Sequence, residues 1–431
     1  MATPRPAHPP GARLPRVALL HYTSPPVIGG VESVLAHQAR LLSARGFSVS
    51  VLTGRGGPLG GRVRVRRLPL LDSRHRRVLG ILHELDQGRV PSEFAALTSQ
   101  IRQELGRALA GSEVCLVHNA LTLHKNLALT AALHQLAAER SPVRLVAWCH
   151  DLAWTDSRYG PTLHPGKPWS LLMTPIPGAT YVAVSRERQH QLSAALRIPQ
   201  SQIEVVPNGI DPAAFLNLTP AGRWLAETIR VWDQQMVLLL PVRITRRKHI
   251  EYALRVVAEL VRREMTVRLI VTGPLGAHNP RNHEYLEELL ALRRELRIEE
   301  QVVFCQELPG PGGRECVLTD RIMADLYQMA DALVLPSREE GFGLPLLEAG
   351  LARLPAFTSD IGPLREIGGD AIRTFDLNEP PAACAQRIIH GLMDDRGYRL
   401  RRRILGAYTW DTIMRDRIIP MLTQLGAGTR S

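Results

Sequence analysis

Short apolar runs alternate along this chain with longer amphipathic stretches. Arg16-Val-Ala-Leu-Leu-His-Tyr22 reads as a strand. After a Pro/Gly turn, Val31, Val34, Leu35, Leu41 and Leu42 recur with the 3.6-residue period of a helix. Phe47–Thr53, Val114–His118, Val143–Cys149, Tyr181–Val184 and Ile203–Val206 are further strand candidates, with helical patterns over Glu93–Leu109 and Leu121–Ala138. Pro207-Asn-Gly-Ile-Asp-Pro212 interrupts the series with turn-forming residues and reads as a hinge. The alternation then restarts, with strands at Met236–Leu240, Val267–Thr272, Val302–Phe304, Ala332–Leu335 and Pro355–Thr358. Helices over 249–263, 282–296, 320–330 and 345–351 separate them.

Strands alternating with helices imply right-handed βαβ units and parallel sheets covered on both faces. The fold class is therefore α/β, with two Rossmann-like, doubly wound domains in tandem. Ligands are expected at the carboxyl ends of the strands, toward a central cleft. The division is a flexible lead over 1–15, an N-terminal Rossmann-like domain over 16–208, a C-terminal Rossmann-like domain over 209–400 and C-terminal helices over 401–431. Trp410, Ile413, Ile418 and Leu422 give those last helices an apolar stripe able to pack back on the N-terminal domain.

The length of 431 residues suits two domains, and 45% hydrophobic with 22% charged residues is an ordinary globular balance. No apolar run reaches the roughly 18 residues of a membrane span, and the proline-rich start lacks the apolar core of a secretory signal. A cytoplasmic location is expected, with peripheral contact at the inner membrane face as an option. The net charge of +12 comes almost wholly from arginine, and only Lys125, Lys167 and Lys248 are lysines. Arg62, Arg64, Arg66, Arg67, Arg74, Arg76 and Arg77 form one basic stretch, and Arg399, Arg401, Arg402 and Arg403 another. Either is a solvated face or an attraction for an anionic substrate or membrane. No nucleic-acid signature accompanies them, so no nucleic acid is expected as a partner. Cys115, Cys149, Cys305, Cys316 and Cys384 show no C-x-x-C pairing and read as small core residues.

Three clusters at strand-to-helix turns carry candidate chemistry. Gly29-Gly30-Val31-Glu32 allows close backbone approach at a helix N-terminus, although it is not the G-x-G-x-x-G of dinucleotide binding. Arg243 and Lys248 lie five apart after a strand, so that a guanidinium fork and an ammonium can share one diphosphate. The third is Ser337-Arg-Glu-Glu340-Gly-Phe-Gly-Leu-Pro-Leu-Leu-Glu348. Two carboxylates flank a glycine turn and a proline-started helix, a pattern suited to a phosphorylated, hydroxyl-rich ligand. His150-Asp151 ends another strand, where Asp151 can cap the following turn or touch ligand. Glu32, Arg186 and Glu366 are open to either capping or contact. His118, His124 and His134 share no i, i+4 helix face and are read as non-metal.

Glu340-Gly-Phe-Gly-Leu-Pro-x-x-Glu348 resembles the E-x7-E motif of retaining, nucleotide-sugar-dependent glycosyltransferases of family 4, which have the GT-B fold. The resemblance extends to Gly29–Val31, His150-Asp151, Pro207–Asp211, the Arg-x4-Lys pair, Ala330–Ser337 and Ser359–Glu366. It departs at His249 and in Arg353-Leu354-Pro355, where the family has glycine after the lysine and before the strand proline. The resemblance implies that Arg243 and Lys248 neutralise the donor diphosphate and that Glu348 accepts from the ribose hydroxyls. Glu340 would contact the transferred sugar, with the backbone of Gly341, Phe342, Gly343 and Leu344 holding sugar and phosphate. His150 would lie beside the reacting sugar, and Gly30 against the diphosphate or acceptor side. The implied activity is a retaining hexosyl transfer from a UDP- or GDP-linked sugar to a sugar, phosphorylated or lipid-linked acceptor, in glycan, glycolipid or solute biosynthesis. No D-x-D occurs in the chain, so the reading takes no metal and no cofactor. A nucleotide-sugar epimerase and a non-catalytic nucleotide-sugar-binding module are the alternatives. Arginines 62–77 and Trp154–Lys167 are the candidate acceptor lip.

Overall fold

The computed structural model describes residues 13–139, 142–276, 281–310 and 317–427. Cys316 and residues 1–12 of the expected lead lie outside them. The chain divides into two compact units, Met1–Ile210 with Tyr408–Ser431, and Asp211–Ala407.

The first unit holds a seven-stranded parallel sheet: β1 Val17–Thr23, β2 Val49–Arg55, β3 Arg64–Arg67, β4 Val114–His118, β5 Arg144–Cys149, β6 Thr180–Ala183 and β7 Ile203–Val205. Their order is β3-β2-β1-β4-β5-β6-β7. All seven residues of β1 are buried, as a central parallel strand requires, and they serve two different layers. Ala18, Leu20 and Tyr22 join the core beneath helices Glu93–Leu109 and Leu127–Ala138. Val17 and Leu19 face the other way, onto Leu35, Ala39 and Leu42 of helix Gly30–Ala44 and onto Ile413, Met414, Ile418 and Leu422. The C-terminal apolar stripe therefore completes the second layer of the N-terminal unit. Leu14 packs on the same layer and Pro15 lies against Gly426, so the end of the expected lead is part of the core.

The second unit carries six parallel strands: β8 Met236–Leu240, β9 Val267–Val271, β10 Val302–Phe304, β11 Ala332–Leu335, β12 Ala356–Ser359 and β13 Arg373–Phe375. They run in the order β10-β9-β8-β11-β12-β13. One apolar core surrounds this sheet, including Ile250, Leu254 and Val257 of helix Ile250–Arg262.

Each sheet reverses its strand order once, between β1 and β4 and between β8 and β11. Crevices at such reversals are where α/β sheets hold ligands, and the Arg/Lys and Glu-rich turns follow β8 and β11. Two strands escape a reading of apolar runs. β3 is Arg-Val-Arg-Arg on a sheet edge, and β13 is only three residues long. The amphipathic pattern read from Leu121 becomes helical only at Leu127, after a short 3-10 turn over His124–Asn126.

The chain leaves the first unit and returns to it at a single tie. Ile210 N donates to Tyr408 O (2.8 Å) and Trp410 N to Ile210 O (3.0 Å). A Cβ on Gly209 would stand 2.5 Å from Cδ2 of Trp410. Gly209→Ala is therefore expected to cost about 1–3 kcal/mol of stability, read as a lower melting temperature; an unchanged melt would contradict the tie. The two departures from the family glycines, His249 (φ 49°) and Arg353 (φ 57°), both lie in the left-handed region. Arg353→Gly is expected to stabilise by about 1 kcal/mol in chemical denaturation. A loss of stability would show that the arginine side chain outweighs its backbone strain.

Candidate functional site

After β8, a 3-10 turn over Arg246–Lys248 and the left-handed His249 lead into helix Ile250–Arg262. The turn lies tight against the end of β9, where a Cβ on Gly273 would come within 1.8 Å of Val242 O. The geometry turns the Lys248 side chain inward. Its Nζ lies 2.5 Å from Glu340 Oε1, and both side chains are almost fully enclosed, at 9% and 6% exposure. Glu340 Oε1 also accepts from Ser337 Oγ at 2.7 Å. The two loops are stitched further by Arg338 N donating to Arg247 O (2.8 Å) and the Arg338 guanidinium donating to His249 Nε2 (2.9 Å). Ser359 Oγ, from the end of β12, donates to Ser337 O at 2.5 Å. A guanidinium has no lone pair to offer, so His249 accepts with a bare Nε2. Burial favours that unprotonated form; the Glu251 carboxylate opposes it, and the Arg338 and Arg255 charges add smaller effects in its favour.

Arg243 is exposed and, among the described residues, has no ion-pair partner. The turn after β8 thus holds one self-neutralised pair and, in Arg243, an exposed guanidinium. Gly343 caps helix Leu344–Leu351 with φ 109°, and a Cβ there would meet Leu364 at 2.7 Å, so both backbone and space demand glycine. Gly341 meets no such demand, since its Cβ would find open space. Phe342, Leu344 and Glu348 are all exposed. Glu348 reaches Tyr327, whose hydroxyl is shifted upward by burial and then by that carboxylate. The two carboxylates of the motif therefore differ: Glu340 is locked against Lys248, while Glu348 stands at the surface of its helix.

In the first unit the ends of β1, β4 and β5 converge. His118 Nδ1 lies 3.0 Å from His150 Nε2. His21 Nδ1 donates to His118 O at 3.0 Å, and its Nε2 faces Glu32 Oε1 at 3.7 Å. The same Glu32 oxygen accepts from Thr23 Oγ1 at 2.5 Å. Asn119, itself left-handed at φ 58°, clamps the end of β5. Its Oδ1 accepts from the backbone N–H of His150 (2.8 Å) and Asp151 (3.1 Å), and its Nδ2 donates to Asp151 Oδ2 (3.0 Å). Asp151 is therefore held in place by Asn119. Burial, and then the nearby His21, push His150 down to about 4, while burial, His150 and His21 hold His118 far below the usual imidazole value. All three imidazoles are disfavoured as cations.

Glu32 has folded its carboxylate over the start of its own helix, and a Cβ on Gly29 would lie 2.0 Å from its Oε2. Gly30 is open beside it. Arg186 and Glu366 are exposed at other helices, and no contact joins them to either cluster among the described residues. Arg77 donates to Gln100 Oε1 at 2.8 Å, while Arg74 and Arg76 are exposed. Cys115, Cys149, Cys305 and Cys384 are all buried, with the Cys115 and Cys149 thiols pushed up to about 12 by burial. His21 and Asn119 belong to no side-chain motif, and His118 and Ser337 carry no role in the motifs that include them. Their signal is positional: each lies within two residues of the end of a strand beside a reversal of strand order.

Comparison with known proteins adds to this geometry. Residues 28–214 match the family described as Glycosyltransferase Family 4, and residues 228–405 that described as Glycosyl transferases group 1. A D-inositol 3-phosphate glycosyltransferase of Xylanimonas cellulosilytica is 26% identical, over 91% of this chain and 91% of the relative. One from Saccharomonospora viridis is 27% identical, over 83% and 80%. An uncharacterized glycosyltransferase of Methanocaldococcus jannaschii is 26% identical over 55% of this chain, which spans 58% of that relative's length. Among solved structures, Anabaena HepE in complex with UDP-glucose is 17% identical, over 96% and 99% of the two chains, with a TM-score of 0.34. With its two halves matched in succession by glycosyltransferase families, and each built as a Rossmann-like parallel sheet, the chain belongs to the family 4 glycosyltransferases of GT-B type.

Proposed function

We propose that this glycosyltransferase moves a sugar from a nucleoside-diphosphate-sugar to a hydroxyl acceptor, with retention of configuration and without a divalent metal. The observation that carries the reading is the enclosed Lys248–Glu340 pair, with Arg243, exposed and without an ion-pair partner among the described residues, on the same turn after β8. A diphosphate entering at the β8 turn competes with Glu340 for Lys248 and gains the Arg243 fork at once. Glu340, released in exchange, accepts hydroxyls of the transferred sugar, and the exposed Glu348 those of the ribose. As the bond from the anomeric carbon to the diphosphate breaks, its electron pair passes to the phosphate oxygen. The two cations and the amides capped by Gly343 stabilise the growing charge. The acceptor oxygen bonds to the anomeric carbon from the same face, and its proton passes to the departing phosphate. Cationic side chains fill the place that a D-x-D-held metal occupies elsewhere.

A phosphorylated polyol or sugar is the acceptor class supported by the exposed Arg74 and Arg76 and by the names of the curated relatives. Substituting Arg74, Arg76 and Arg77 together is expected to raise the acceptor KM while leaving donor binding intact. An unchanged acceptor KM would remove these arginines from the acceptor site.

Thermal-shift titration with UDP, GDP, ADP and their sugar conjugates tests the donor site. One nucleotide is expected to raise the melting temperature of the wild type, with or without EDTA, and to leave Arg243→Ala/Lys248→Ala unmoved. No shift with any nucleotide would overturn the donor reading, and loss of activity under EDTA with rescue by Mn²⁺ would overturn metal independence. The ion pair itself is testable without ligand. Lys248→Met or Glu340→Leu alone is expected to cost about 3–5 kcal/mol, and the double variant clearly less than the two summed. Additive losses would mean that the pair is not coupled.

A further inference from the structure

His118 and His150 meet ring to ring, with Nδ1 of the first 3.0 Å from Nε2 of the second and the planes 22° apart. One proton must lie between these two nitrogens. His118 is completely enclosed, and its Nε2 has no partner among the described residues. A proton on that Nε2 would be a buried donor without an acceptor, the rarer and costlier defect in folded proteins. A bare lone pair in the same place is the smaller loss. His118 therefore carries its proton on Nδ1 and donates it to His150 Nε2. Burial disfavours a second proton on either ring, so His150 keeps its own on Nδ1.

The surroundings hold this arrangement from each side. His21, whose Nδ1 donates to the His118 carbonyl, leaves the His118 ring nitrogens untouched. Trp148 stacks against His118 with centroids 5.6 Å apart. Asn119 fixes the His150 backbone and keeps Asp151 occupied. We propose that His118 is a positioning residue that sets the tautomer of His150, so that His150 presents an Nδ1–H donor to a sugar oxygen of the substrate. His150 then has no lone pair to offer as general base or nucleophile, and its part in the transfer is to orient and polarise. The proposal rests on the transferase reading for its substrate, and on the fold alone for the tautomer.

The test uses the full chain with ¹⁵N-labelled histidine and long-range ¹H–¹⁵N correlation at neutral pH, assigned through His150→Asn and His118→Asn. In the wild type, His150 is expected to show a protonated Nδ1 and a bare Nε2. His118→Leu is expected to release His150 toward the Nε2–H form and to lower kcat about tenfold or more, with little change in donor KM. His118→Asn, whose amide nitrogen reaches the position of the lost Nδ1, is expected to keep the tautomer and restore most of kcat. A wild-type His150 protonated on Nε2 would overturn the proposal, as would an unchanged kcat in His118→Leu. If no nucleotide-sugar is turned over at all, the transferase reading fails, and the wild-type spectrum still decides whether His118 sets the tautomer.

Discussion

An ammonium and a carboxylate held together out of water govern the second unit of this protein. Lys248 and Glu340 come from loops 92 residues apart in sequence, brought side by side by the reversal of strand order between β8 and β11. Neither charge is tolerable there alone, since desolvating an unpaired ion costs several kcal/mol. The pair therefore dictates the surrounding detail. Ser337 fills the remaining hydrogen-bonding capacity of the same carboxylate oxygen, and Ser359 fixes Ser337. Arg338 ties the two loops through Arg247 and His249. The left-handed backbone at His249 ends the turn that points Lys248 inward. In the proposed reaction this neutralisation is exchanged for another, with the substrate diphosphate taking the place of Glu340.

The first unit fills the equivalent position in its own sheet without a buried cation. At the reversal between β1 and β4, neutral imidazoles and an asparagine amide stand where the second unit has its ammonium, with the carboxylates of Glu32 and Asp151 held by Thr23 and Asn119. Burial keeps the histidines uncharged, so the array is directional rather than electrostatic: each ring nitrogen has a fixed duty as donor or acceptor. In the proposed reaction one half meets phosphate charge and the other meets hydroxyls. That division of labour matches the chemistry of a glycosyl donor and its acceptor.

Much of this was legible before the structure. Buried parallel strands announce themselves as unbroken apolar runs, so Val114–His118, Val302–Phe304 and Ala332–Leu335 end where expected. Arg64–Arg67 is hidden because an edge strand exposes its side chains, and there composition speaks louder than pairing. At the candidate site, local spacing singles out Lys248, Glu340 and Glu348 as candidates. It does not identify their relations: that Glu340 rather than a ligand holds Lys248 depends on two loops meeting across the sheet. His118 shows the same limit from the other side. A histidine at a strand end reads only as not binding a metal until its nitrogen is found 3.0 Å from that of His150.

The exchange of partners at Lys248 is tested most directly by calorimetric titration of a nucleoside diphosphate, without its sugar, into wild type and Glu340→Gln. A glutamine keeps the shape and the hydrogen-bond acceptor but withdraws the competing charge. The account predicts tighter diphosphate binding by Glu340→Gln than by wild type, because Lys248 is then released to the phosphate. Weaker binding by the variant would contradict it and would make Glu340 a support for the diphosphate rather than its rival.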